Sequence, residues 1–175
     1  RLLNDVATTY NYPKFSYEKW LPHFGQSMQA NIDVFFPGLD FDIFARFVND
    51  NFHKYLDDLE IIANAKEILA FANDLTHNQT YLVTNCPRHL VELIINHPKG
   101  AFLKEAFANG ASDGEKATKK AADINDLRII CAGDQGSDQI VLHPKPAISM
   151  ITEVAHRLSL SSHEILLVGD TKYDI

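Results

Sequence analysis

Long apolar runs are missing from this 175-residue chain. None approaches the roughly 18 to 20 residues that carry a helix across a bilayer, so no membrane partner is expected. Cysteine is scarce. Cys86 and Cys131 stand far apart and match no metal-binding or redox spacing, which leaves two reduced thiols of the kind found in the cytosol. Positive charge is also in short supply, with 16 Lys and Arg against 23 Asp and Glu and a formal charge of −7. No basic stripe appears, so nucleic acid is not an expected partner. Internal repeats and low-complexity tracts are absent. No secretory-signal pattern stands at the start, and residue 1 is Arg rather than Met.

What remains is an ordinary globular composition, 46% hydrophobic and 22% charged. The length suits one domain, or one core with a small satellite. Residues 1–58 are rich in aromatics and read as helical. In FDIFARFVNDNFHKYL, Phe41, Phe44, Phe47, Val48, Phe52 and Tyr55 recur at spacings of three and four and make one apolar face. Gly25 and Pro37-Gly38 break this stretch into separate pieces.

From residue 59 onward, short apolar runs alternate with helical periodicity. Helices are expected over 61–76, 88–97 and 146–158, the last with Pro146 in its tolerant first turn. Strands are expected at 81–83, 128–132, 140–142 and 165–168. Between 100 and 127 the pattern reads as helix, exposed loop near 109–120, then short helix. Apolar strands of four or five residues, each followed by a helix, predict a parallel sheet covered on both faces. Ligands of such sheets bind beyond the carboxyl ends of the strands.

The polar residues just past those strands carry the chemistry. Thr84-Asn85 follow one strand, Gly133-Asp134 the next, and Gly169-Asp170 the last, with Asp174 four positions on. Lys145 lies in the loop before the 146–158 helix. Asp170 and Asp174 together suit a hard cation, most naturally Mg2+, which takes one or two carboxylates and keeps waters and a phosphate oxygen. Thr84 can donate to a phosphoryl oxygen, and Lys145 can neutralise its charge. Positioning and charge neutralisation are what phosphoryl transfer needs.

This order of motifs resembles the haloacid dehalogenase-like superfamily, and within it the phosphoglycolate-phosphatase-like branch. The family's second motif is matched by YLVTN, its third by the Lys145-Pro146 pair that opens a helix, and its fourth by ILLVGDTKYD. The resemblance implies an α/β fold: a three-layer Rossmann-like parallel sheet over residues 59–175 with a small helical cap over residues 1–58. It implies that Thr84 and Lys145 are catalytic and, with Asn85, hold phosphate. It makes Asp170 a direct Mg2+ ligand, and gives Asp174 either a water-mediated place at the metal or the task of orienting Lys145. Gly25, Gln26 and Ser27 fall where the family often places a substrate-contacting loop. The implied activity is magnesium-dependent hydrolysis of a small phosphorylated metabolite through an aspartyl-phosphate, in the cytoplasm.

The family's first motif, an Asp-x-Asp whose first carboxylate is the nucleophile, has one in-chain candidate at Asp40-Phe41-Asp42. Pro37-Gly38 interrupts the strand that should lead into it, and the segment after it continues as an amphipathic helix. Asp40 therefore reads first as a helix start with an acidic first turn. The nucleophile is expected upstream of residue 1. The 175 residues are accordingly expected to be an internal piece of a longer chain, inactive alone. The rivals are a mutase or dehalogenase of the same superfamily, and a non-catalytic binding or regulatory protein.

Overall fold

The computed structural model describes residues 1–108 and 124–174. Helix α1 (Leu2–Thr9) and a short helix α2 (Tyr17–Trp20) lead into α3 (Met28–Phe35) and α4 (Phe41–Asn51), and a 3-10 stretch, Phe52–Asp58, follows. Side-chain caps set where these helices begin. Ser16 accepts from Lys19 N, Ser27 accepts from Ala30 N at 3.2 Å, and Asp40 accepts from Asp42 N and Ile43 N at 2.9 and 3.1 Å. The predicted apolar face of α4 buries Phe44 and Val48. They pack with Val6, Ala7, Ile32, Phe35 and Phe36 in an aromatic-rich core. Phe15 stacks on Phe35 with ring centroids 4.2 Å apart.

Helix α5 (Ala65–Leu75) precedes strand β1 (Leu82–Thr84), then come α6 (Arg88–Asn96) and α7 (Phe102–Phe107). A 3-10 turn at Ile124–Asp126, strand β2 (Ile129–Cys131) and α8 (Ser149–Leu158) complete the main elements. The expected loop near 109–120 falls outside the described residues. Strands β1 and β2 pair in parallel, with Leu82 opposite Ile129 and Thr84 opposite Cys131. Side chains alternate across the pair. Ile129 and Cys131 face Val91 and Ile95 of α6 and Phe107 of α7, while Ile130 faces Met150 and Val154 of α8. Helix α6 is buried on two sides, because Leu90 enters the aromatic core and Val91 and Ile95 meet the strands.

The three-layer Rossmann-like sheet is overturned. The described residues are mostly helical, and their sheet has two strands. The run at 165–168 is no strand: Leu166 and Val168 are 86% and 84% exposed and find no ladder partner among the described residues. At 140–142 the chain makes a single antiparallel bridge, Gln135 to Val141, and buries only Leu142. The physical reason is that four apolar residues in a row supply strand propensity but not a partner, and a sheet exists only where backbone groups pair. No helix among the described residues is long and apolar enough to cross a membrane.

Candidate functional site

The site grows from the carboxyl end of β1. Thr84 closes the strand, and its Oγ1 accepts from Cys86 N at 3.1 Å, a local turn that leaves the hydroxyl proton for another acceptor. Lys145 comes from the loop ahead of α8. Its Nζ donates to the carbonyl of Val83 at 3.2 Å and pairs with Asp174 Oδ1. The pair is largely withdrawn from solvent, with side chains 13% and 8% exposed. An ammonium has three N–H donors. Two are committed here, to Val83 O and to Asp174, and no hydrogen bond from the third is seen among the described residues.

Asp174 is held from both sides. Its Oδ2 accepts from Thr171 N at 3.0 Å and from Thr171 Oγ1 at 2.7 Å, while Oδ1 serves Lys145. Burial disfavours its charged form, but the hydrogen bonds from Lys145 and Thr171 outweigh that cost and hold the carboxyl below the usual aspartate value. Gly169 makes the approach feasible, because a Cβ there would overlap the Asp174 carboxylate. Asp170, just beyond it, is exposed and has no side-chain hydrogen bond among the described residues.

Asn85 faces the backbone. Its Oδ1 accepts from Lys145 N at 2.6 Å, and its Nδ2 donates to Lys145 O at 3.1 Å and to Gly25 O at 2.9 Å. The 25–27 loop is thereby brought to the site. Gly25 turns with φ of +83°, and a Cβ on it would lie 2.8 Å from Thr171 Cγ2. Gln26, 9% exposed, accepts from Tyr173 OH at 3.1 Å and donates to Asn31 Oδ1 at 3.0 Å. Ser27 is committed to capping α3.

The residues singled out from the sequence thus separate into two groups. Thr84, Asn85, Lys145, Asp174, Gly25 and Gln26 are linked through hydrogen bonds, backbone continuity and the contact of Gly25 with Thr171. Asp40 is spent as the cap of α4. Asp134, another strand-end carboxylate, is engaged by Arg88 Nε at 2.8 Å and Nη2 at 2.5 Å. Sequence reasoning missed Thr171, Tyr173 and the Val83 carbonyl. A hydroxyl three positions ahead of a carboxylate is a known local hydrogen-bond spacing and could have flagged Thr171. Tyr173 and the carbonyl carry no such signal.

Magnesium can be tested against this donor set. Among the described residues no group of three or more His, Cys, Asp or Glu side chains converges for a metal. A hydrated magnesium needs only one or two carboxylates. Asp170 is open for that role, whereas both Asp174 oxygens are already engaged. Of the two carboxylates expected at a metal, Asp170 alone keeps its oxygens unengaged among the described residues, and Asp174 is turned to Lys145 and Thr171. Comparisons with protein-family models, with curated proteins and with solved structures find no match for the chain.

Proposed function

We propose that the Thr84–Lys145 cluster binds the phosphoryl group of a small phosphate monoester in a magnesium-dependent phosphatase. The observation that carries this is Lys145: a largely buried ammonium anchored to the Val83 carbonyl and to Asp174, with one donor uncommitted, at the strand end where the next residue, Thr84, carries a hydroxyl that can also donate. Such fixed donors stabilise charge on phosphoryl oxygens without reorganising at the moment of reaction. Asp170 would hold the Mg2+, which supplies further neutralisation of the phosphoryl charge when bound.

Hydrolysis needs a nucleophile, and Asp40 is committed to α4. In the reaction proposed, a carboxylate is that nucleophile. Its oxygen would attack phosphorus as the ester P–O bond breaks, and the leaving alkoxide would take a proton from solvent water. Water would then cleave the acyl phosphate, regenerating the carboxylate and releasing inorganic phosphate. The direct test is turnover of p-nitrophenyl phosphate by the protein, with and without Mg2+. Magnesium-dependent turnover that Lys145→Ala lowers by about a hundredfold or more supports the proposal. Phosphate binding with no turnover would favour the alternative, a binding protein built on the same residues. The commitment of Asp40 to a helix cap is the observation on that side.

A further inference from the structure

We propose that Asn85 is a positioning residue that couples the 25–27 loop to Lys145, so that the loop and the phosphate-facing ammonium are set together. This deepens the phosphate-site proposal and rests on it for what Lys145 binds. A carboxamide offers one acceptor oxygen and two N–H donors. Asn85 directs the oxygen to Lys145 N at 2.6 Å and the nitrogen to Lys145 O at 3.1 Å and Gly25 O at 2.9 Å. It therefore grips both backbone groups of Lys145 and one of the loop. With both donors committed to backbone, it acts through Lys145 and not on a ligand.

The grip closes a ring. Gly25 lies against Thr171, Thr171 donates twice to Asp174, Asp174 pairs with Lys145, and Lys145 returns to Asn85. A second strut runs beside it from Tyr173 OH to buried Gln26 and on to Asn31 in α3. A displacement of the 25–27 loop thus has a polar route to the Lys145 backbone through a single side chain. Coupling through one shared side chain is measurable as non-additivity.

The test uses amide NMR spectra of the 175-residue protein, with inorganic phosphate in Mg2+ as the probe. Gly25→Ala perturbs the loop, since a Cβ would press on Thr171 at a positive φ. We expect it to move the Lys145 amide more when Asn85 is present than in the Asn85→Ala background, where only the route through Thr171 and Asp174 remains. The amides of Ile129 and Ile130, in the buried strand, should stay in place and report an intact fold. Asn85→Ala should also weaken phosphate binding about tenfold. A Lys145 amide indifferent to Gly25→Ala with Asn85 intact would overturn the coupling, and this comparison stands even if Asn85→Ala does not fold. Wild-type protein that does bind phosphate, but no better than Asn85→Ala does, would overturn it as well. Wild-type protein that binds no phosphate sinks the phosphate site instead, and the amide comparison still decides whether Asn85 couples loop and lysine.

Discussion

At the scale of single residues, Lys145 and Asp174 illustrate how a charge can sit largely out of water. Each has several partners, so neither ion is left bare. Removing one partner strands the other. Lys145→Met should lower the unfolding free energy by about 3 kcal/mol in a urea titration. Lys145→Met combined with Asp174→Asn should recover part of that loss, because no lone buried charge remains. Glu153 offers a test by pH. Burial raises its pKa, but hydrogen bonds from Ser137 and Arg157 win and hold the carboxyl below its ordinary value. A carboxyl depressed by folding stabilises above its unfolded pKa, about 4.3, and that contribution fades as pH falls through the folded value. Glu153→Gln should therefore melt below wild type at pH 7, and the gap in Tm should narrow steadily below about pH 4. A gap that stays constant down to pH 3 would contradict the assignment. Thr84 and Asp170 could be singled out in the sequence because they stand just past apolar runs, and Lys145 because it precedes a helical stretch. The commitment of Asn85 to Gly25 O was not legible there, because a contact across sixty positions with a backbone atom leaves no trace in residue type.

At the scale of elements, periodicity located the helices well. The stripe of Phe44 and Val48 became the buried face of α4, and the expected helices over 88–97 and 146–158 appear as α6 and α8 with shorter bounds. Strands were harder. Residues 129–131 pair because β1 lies alongside, and the 165–168 run, equally apolar, has no such neighbour among the described residues. Polar substitution of Leu166 or Val168 should consequently shift stability by no more than about 0.5 kcal/mol, as at other exposed positions. A loss of several kcal/mol would show that these side chains are covered in solution. Asp40 gives a sharper expectation. As the cap of α4, its replacement by Ala should cost about 1 kcal/mol of stability and leave phosphate affinity unchanged. Loss of phosphate binding in Asp40→Ala would return it to the site.

At the scale of the whole molecule, α6 holds the two regions together. Its Leu90 enters the aromatic core built from residues 6–48, and Val91 and Ile95 pack on the far side against the strand pair. The 25–27 loop, which leads into α3, reaches the end of β1 from the same aromatic region. A site assembled from segments so distant in sequence depends on this packing and not on any one motif. For that reason the motif order could suggest a chemistry while the sheet it implied did not form: the motif residues sit in loops and at element ends, and their convergence requires only that β1, the Lys145 loop and the 169–174 turn be close. The most direct test is a titration of the 175-residue protein with inorganic phosphate in Mg2+, followed by amide NMR. The account predicts saturable shifts centred on Thr84, Lys145 and Asp170, weakened at least tenfold by Lys145→Ala. Shifts that never saturate, or that are unchanged by Lys145→Ala, would contradict a phosphate site at the end of β1.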